Sequence, residues 1–318
     1  MSVADLYRPR WRGQPGRLEV WYATLTDPAS NTGMWLHHEI VSPTDSSRPY
    51  AHGWAAVFPP DGPPVLERFG PAAVSAGTVG NDTYFRFAEV VAEVSASVYS
   101  LTGSVGSIRY RLELETKGEP LYTFPRWAWQ RETLPAAQVV PAPAAAFTGI
   151  IDVRGRQLPL MDAPGEVARV YGNGNARRWA WLHADLGGGD VLEIVVTAAR
   201  ESRWARLPPL AFVQLRRGGR DWPVDPLLAA PLFRSRIDLL DWSVRGSVGR
   251  RRLRVQVRQE QDASVRLVYR DPDGSTATCC NSERANAEIL LERWSRSWQV
   301  EGQWKLDHTA HAEVGTRP

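Results

Sequence analysis

Two short runs carry the side chains best suited to chemistry. Trp179, Trp181, His183 and Asp185 alternate with Ala180, Leu182, Ala184 and Leu186. On an extended chain, period two places the tryptophans, the histidine and the aspartate on one face and the small aliphatic residues on the other. Trp35, His37 and Glu39 make the same arrangement earlier in the chain. A histidine two residues from a carboxylate can be held in one tautomer and can serve as a general acid or base. Large aromatic neighbours would give it an apolar wall. His183 and Asp185 are therefore the candidates for proton transfer. Trp179, Trp181, Tyr171, Trp35, His37 and Glu39 are the candidates for lining a substrate site. The competing reading of each pair is a satisfied polar pair at the rim or outer surface of a sheet.

Other kinds of chemistry find little support. The chain has no nucleophile elbow, no Walker loop and no Cys-x-x-Cys. Gly172-Asn173-Gly174 lacks a following helix and reads as a turn, not a phosphate loop. His308 and His311 are three apart, which on a strand points them to opposite faces and argues against a metal pair. Cys279 and Cys280 are adjacent, which argues against a mutual disulfide and for a reduced, cytoplasmic protein. No metal and no cofactor are expected.

The 318 residues are 43% hydrophobic and 23% charged, a globular composition with room for two domains. No apolar run is long enough to span a bilayer, and residues 1–12 lack the apolar core of a signal peptide. The net charge of +3 and the isoelectric point near 9.0 come almost wholly from arginine, since Lys117 and Lys305 are the only lysines. Acidic residues nearly balance the basic ones, so a nucleic-acid partner is not expected. Arg252, Arg254, Gln256 and Arg258 share one strand face opposite Leu253, Val255 and Val257. A solvated outer face is preferred there over a phosphate-binding stripe.

The elements that would position these residues are strands. Gly and Pro punctuate the chain at short intervals, and alternating or β-branched runs lie between them. Residues 89–98 read as strand or as a short helical turn. Residues 134–146 are Pro/Ala-rich and uncharged, which places a boundary between residues 1–145 and 146–318. Each half then holds about eight strands, enough to close a small antiparallel barrel. The Trp35–Ile40 run matches Trp181–Leu186 in character at an offset of 146 residues. That implies two related β units in tandem, with the aromatic face of residues 179–185 turned inward.

The chain resembles the lipocalin-like superfamily of tocopherol cyclases, carotenoid 1,2-hydratases (hydroxyneurosporene synthases) and AttH-like proteins. The resemblance rests on Leu18-Glu19-Val20-Trp21-Tyr22 with Asp27-Pro28, the Trp35–Ile40 run, Gly149–Val153 with Gly155, and Cys280-Asn281-Ser282-Glu283. Its strongest part is Gly165 through Tyr171 to Trp179-Ala180-Trp181, similar to the family's Tyr-x-x-x-Asn-Trp-Gly … Trp-x-Trp segment. It implies an all-β fold of two tandem lipocalin-like (calycin) antiparallel β-barrels. It also implies a hydrophobic small molecule as ligand, such as an isoprenoid, polyene or polyketide-like compound, and catalysis by cyclisation, hydration or isomerisation. One departure matters. Tyr171-Gly172-Asn173-Gly174-Asn175 carries neither the acid nor the tryptophan that relatives place there. It motivates the alternative, a non-catalytic carrier of a lipophilic metabolite. Nothing in the sequence sets an oligomeric state.

Overall fold

The computed structural model describes residues 3–45, 47–74, 83–90, 92–132, 134–198 and 208–317. The first sheet is built from β1 (Arg17–Asp27), β2 (Thr32–Ser42), β3 (Tyr50–Phe58), β4 (Val65–Ala73), β5 (Thr83–Glu89), β6 (Ala92–Ser97), β7 (Ser100–Val105), β8 (Ile108–Lys117), β9 (Ala136–Val153) and β10 (Arg156–Gly172). The second contains β11 (Arg178–Gly187), β12 (Asp190–Ala198), β13 (Leu210–Arg217), β14 (Arg220–Trp222), β15 (Phe233–Ile237), β16 (Asp241–Val248), β17 (Arg251–Arg258), β18 (Val265–Arg270), β19 (Thr276–Ser295) and β20 (Ser297–Thr316). Helices among the described residues are short, the longest being six residues at Arg126–Arg131. Within residues 89–98, Glu89 ends β5 and Ala92–Ser97 form β6, paired strands and not a helix; residue 91 lies outside the described residues.

Both sheets are antiparallel and follow one path. The first runs β4-β3-β2-β1-β10-β9-β8-β7-β6-β5, and the second runs β14-β13-β12-β11-β20-β19-β17-β16-β15 with β18 added on β19. Strand for strand, β1 corresponds to β11, β2 to β12, β10 to β20 and β9 to β19. The tandem repeat is thus present, but Trp35–Ile40 and Trp181–Leu186 are not equivalent positions. The first lies in β2 and the second in β11, whose counterpart is β1.

The chain divides into two compact units: residues 1–121, 131–174 and 271–275, and residues 122–130, 175–270 and 276–318. The position expected for the boundary, 145/146, falls inside β9. The Pro/Ala run reads as a linker because proline removes a ladder donor. In the sheet, Pro141 and Pro143 sit beside an irregularity in the β9–β10 register, where Val167 pairs with Ala142 and Gly165 with Ala145. Beyond Lys117, β8 no longer pairs with β9. A proline there interrupts little.

Each sheet encloses its own core. The first is filled by Trp21, Leu25, Met34, Leu36, Leu101, Leu112 and Phe147 among others, the second by Leu182, Ile194, Val213, Trp242, Val255 and Leu291 among others. Side chains bridge strands that are far apart in the order of each sheet. In the first, Glu67 of β4 accepts from Ser107 N at 3.2 Å and Ser107 Oγ at 2.6 Å beside β8. In the second, the rings of Trp222 and Phe233 on the two edge strands lie 6.1 Å apart.

The N-terminal segment plugs the first unit. The helix Val3–Tyr7 buries Leu6 and Tyr7. Trp21 Nε1 donates to Tyr7 O at 2.8 Å, and Arg169 Nη1 to Leu6 O at 2.5 Å. Arg169 also pairs with Glu19, whose carboxylate accepts Arg10 N at 2.7 Å and Trp11 N at 2.9 Å. Glu19 and Arg169 are 0% and 1% exposed, so these bonds are what make their burial tolerable. Tyr171 belongs to this plug: Gln14 Nε2 donates to its hydroxyl at 3.0 Å, and the Arg10 guanidinium lies 5.4 Å from its ring.

The arginine stripe on β17 is a solvated face neutralised by acids. Arg252 makes two bonds of 2.8 Å to Glu292, Arg254 reaches Glu292 at 2.9 Å, and Arg258 lies 3.7 Å from Asp241. A groove of about 720 Å³ is lined both by charged residues, Arg234, Arg245, Arg254 and Lys305 among them, and by apolar ones such as Leu290 and Trp304.

Candidate active site

The register of the second sheet gathers the chemistry-bearing residues on the face opposite its core. Ala180, Leu182 and Ala184 of β11 point into the core. Trp179, Trp181 and His183 therefore take the other face, yet they too are buried. This corrects the expectation of an inward aromatic face. Both faces of β11 are buried, so the alternation of its residues does not mark which face is turned to the core.

Across the strands, His183 stands opposite Glu193 of β12 and opposite His311 of β20. His183 Nδ1 lies 3.2 Å from Glu193 Oε2, and Trp181 Nε1 donates to Glu193 Oε1 at 2.7 Å. A carboxylate can only accept, so His183 carries its proton on Nδ1 and Nε2 is the basic nitrogen. The His183 and His311 rings are 5.6 Å apart, and His311 Nδ1 lies 3.5 Å from Glu283 Oε2. Burial first, then the neighbouring His183, pushes the His311 imidazole well below the usual histidine range.

One row along, Trp181 and Asn281 both stand opposite Glu313 of β20. Trp179 Nε1 donates to Glu313 Oε1 at 2.5 Å, and the Tyr269 hydroxyl of β18 to Oε2 at 3.3 Å. The Trp179 ring lies over Gly315, where an added Cβ would come 1.9 Å from Trp179 Cζ2. Gly315→Ala is expected to displace that ring and destabilise the second unit by about 1–3 kcal/mol. Urea unfolding monitored by tryptophan fluorescence checks this.

The first unit has a comparable buried face. His37 stacks on Trp54 with ring centres 3.9 Å apart and meets the edge of Trp35 at 5.6 Å. Its Nε2 lies 3.1 Å from Glu39 Oε2, and His52 Nε2 lies 3.4 Å from the same oxygen. Tyr22 completes the row, accepting from Gln138 Nε2 at 2.7 Å. Burial lowers His37 and His38 to about 3 each and raises Glu39. The imidazoles are neutral at ordinary pH. His38 projects the other way, against Phe69 and Phe85 in the core.

These depressed values have a thermodynamic sign. The unfolded chain binds protons below pH 6.5 and the folded chain does not until about pH 3. The stability is therefore fully present above pH 6.5 and is lost as pH falls toward 3. The slope per imidazole rises to about 1.4 kcal/mol per pH unit once the unfolded form is fully protonated, so His37 and His38 together cost about 3 kcal/mol between pH 6.5 and 5. Denaturant midpoints at the two pH values check this. A flat profile contradicts neutral burial.

The sequence candidates distribute as follows. Trp179, Trp181 and His183 share one buried face of the second unit. Trp35, His37 and Glu39 share one of the first. Tyr171 lies in the N-terminal plug of the first unit. Asp185 does not partner His183. It sits at the hairpin end of β11 and accepts Gly187 N at 2.8 Å. Glu193 stands where Asp185 was expected, because β-sheet neighbours across a strand are closer than residues two apart along one. His308 has a φ of +58°, which breaks the alternation assumed between it and His311. His311 meets His183. Cys279 and Cys280 are free and buried.

A tandem pair of large antiparallel sheets, each wrapped around a core of its own, defines a lipocalin-like two-domain protein. The solved structures agree. CghA superposes with a TM-score of 0.62 at 13% identity, covering 95% of this chain and 88% of its own. A putative AttH from Nitrosomonas europaea gives 0.59 at 14% identity over 94% and 92%. Kievitone hydratase from Nectria haematococca gives 0.56 at 11% over 100% and 93%. At these identities the likeness is one of fold. The chain belongs to the tocopherol cyclase-like family, whose model matches residues 87–316. The uncharacterised protein Rv0493c of Mycobacterium tuberculosis (strain H37Rv) is 46% identical over 312 residues, which is 97% of this chain and 89% of the relative. Among the described residues no helix is long and apolar enough to cross a membrane.

Proposed function

We propose that this protein is an enzyme that moves a proton on a lipophilic small molecule, in a cyclisation, hydration or isomerisation. The observation that carries the reading is the buried His183–Glu193 pair, flanked by Trp181 and backed by His311. Glu193 fixes the tautomer, and His183 Nε2 gives or takes the proton. Trp179 and Trp181 exclude water and hold an apolar chain in a reactive conformation. The family membership supports a substrate of this kind, since tocopherol cyclase-like proteins share this architecture.

The test is incubation of the purified protein with a total lipid extract, followed by mass spectrometry of the extracted compounds. One compound is expected to fall as an isomer or hydrate rises. A ligand that enters and leaves unchanged would establish the second reading, a carrier. That reading is favoured by one feature: Gly172-Asn173-Gly174-Asn175 after Tyr171 includes no acid, and Asn173 Oδ1 is already engaged by Arg17 at 2.6 Å.

A further inference from the structure

Asn281 has no exposed surface, and neither its Oδ1 nor its Nδ2 has a hydrogen-bond partner among the described residues. A buried primary amide with no bond is costly, and native proteins seldom keep one without a use. Its place in the sheet suggests the use. Asn281 stands opposite Glu313 on β20 and Val265 on β18, on the face that carries Trp179 and Trp181.

The polar groups around Asn281 are engaged with one another. Glu313 takes the indole of Trp179 and the hydroxyl of Tyr269. On the strand's other side, Gln259 Nε2 donates to Cys280 O at 3.2 Å and Ala312 O at 3.0 Å. The β19–β20 register shifts between Ser282 and Ala285, immediately after Asn281. Such bulges re-aim side chains beside functional sites.

We propose that Asn281 is a substrate-binding residue that recognises a neutral head group offering a donor and an acceptor side by side, as a carboxamide or lactam does. The amide edge of Asn281 presents Nδ2–H and Oδ1 in parallel, and its complement is another amide edge. The Glu313 carboxyl next to it disfavours an anionic head. The substrate of the proposed enzyme is then an apolar chain carrying an amide-like group, and not a bare hydrocarbon polyene. This rests on the proposed lipophile site but not on catalysis there.

The test uses three eighteen-carbon probes, oleamide, oleate and 1-octadecene, titrated against the full-length protein by tryptophan fluorescence. The wild type is expected to bind oleamide about tenfold tighter than either other probe. Asn281→Leu, close in size and apolar, is expected to abolish that preference, weakening oleamide about tenfold and leaving 1-octadecene unchanged. The melting temperature of ligand-free Asn281→Leu is expected to hold or rise, because an unbonded amide has been removed. A fall of several degrees with the oleamide preference intact would show that the amide serves the fold, through a bound water for example, and would overturn the proposal. So would a wild type that does not prefer oleamide. A preference for oleamide in a protein that turns nothing over leaves this inference standing and removes the enzymatic reading alone.

Discussion

Arg169→Met is expected to destabilise the first unit by about 3–5 kcal/mol. The guanidinium is 1% exposed and holds Glu19, which is 0% exposed, together with the carbonyl of Leu6. Removing it strands a buried carboxylate with only the backbone N–H groups of Arg10 and Trp11. It also removes the guanidinium that lies 5.2 Å from the Trp21 ring and releases the helix at Val3–Tyr7. The urea midpoint of the corresponding transition is expected to fall by about 1–2 M. Adding Glu19→Leu recovers only part of the loss, because two backbone donors then lose their acceptor. Arg258→Met is the control. That side chain is 70% exposed and lies 3.7 Å from its acid, so its loss is expected to change stability by about 0.5 kcal/mol or less.

His183→Gln is expected to lower turnover by about 10²–10⁴-fold, the range general acid–base groups supply, while leaving the fold and ligand affinity near wild type. Glutamine fills a similar volume and keeps a donor toward Glu193 but offers no basic nitrogen. Glu193→Gln is expected to reduce turnover too, since an amide can favour the wrong tautomer of His183. Asp185→Asn is expected to change nothing, because that carboxylate is tied to the turn at Gly187. Full turnover in His183→Gln would remove the histidine from the mechanism. Equal losses in Asp185→Asn and Glu193→Gln would mean that the pairing inferred from geometry is not the functional one.

Much of the fold was readable because alternation and turn residues are local signals. The runs at β1, β2, β8, β11 and β17 show period two, and Gly187-Gly188-Gly189 marks a hairpin. Which face is the core was not readable on β11. Both of its faces are buried, and alternation cannot say which of two buried faces is enclosed by its own sheet. The partner of His183 was within reach. Residues 183 and 193 are equidistant from Gly188, so the hairpin register alone pairs them. Counting along the strand to Asp185, and not across the turn, missed it. His311, Glu283 and Asn281 were not accessible in this way. They reach β11 only through the β11–β20 and β19–β20 ladders, pairings closed over more than a hundred residues or shifted by a bulge. The role of residues 3–11 was hidden for a related reason. Their partners, Glu19 and Arg169, are charged residues inside a sheet, where polarity alone argues for a surface position.

Delivery of a proton to carbon by His183 would fix solvent deuterium in the product. The protein is incubated with the converted lipid in D2O, and the product is extracted and washed with ordinary water to remove exchangeable label. A product one mass unit heavier is expected, with deuterium fixed in a C–D bond, formed by the wild type and lost in His183→Gln. A product formed without label, or a ligand recovered unchanged from every incubation, would contradict it.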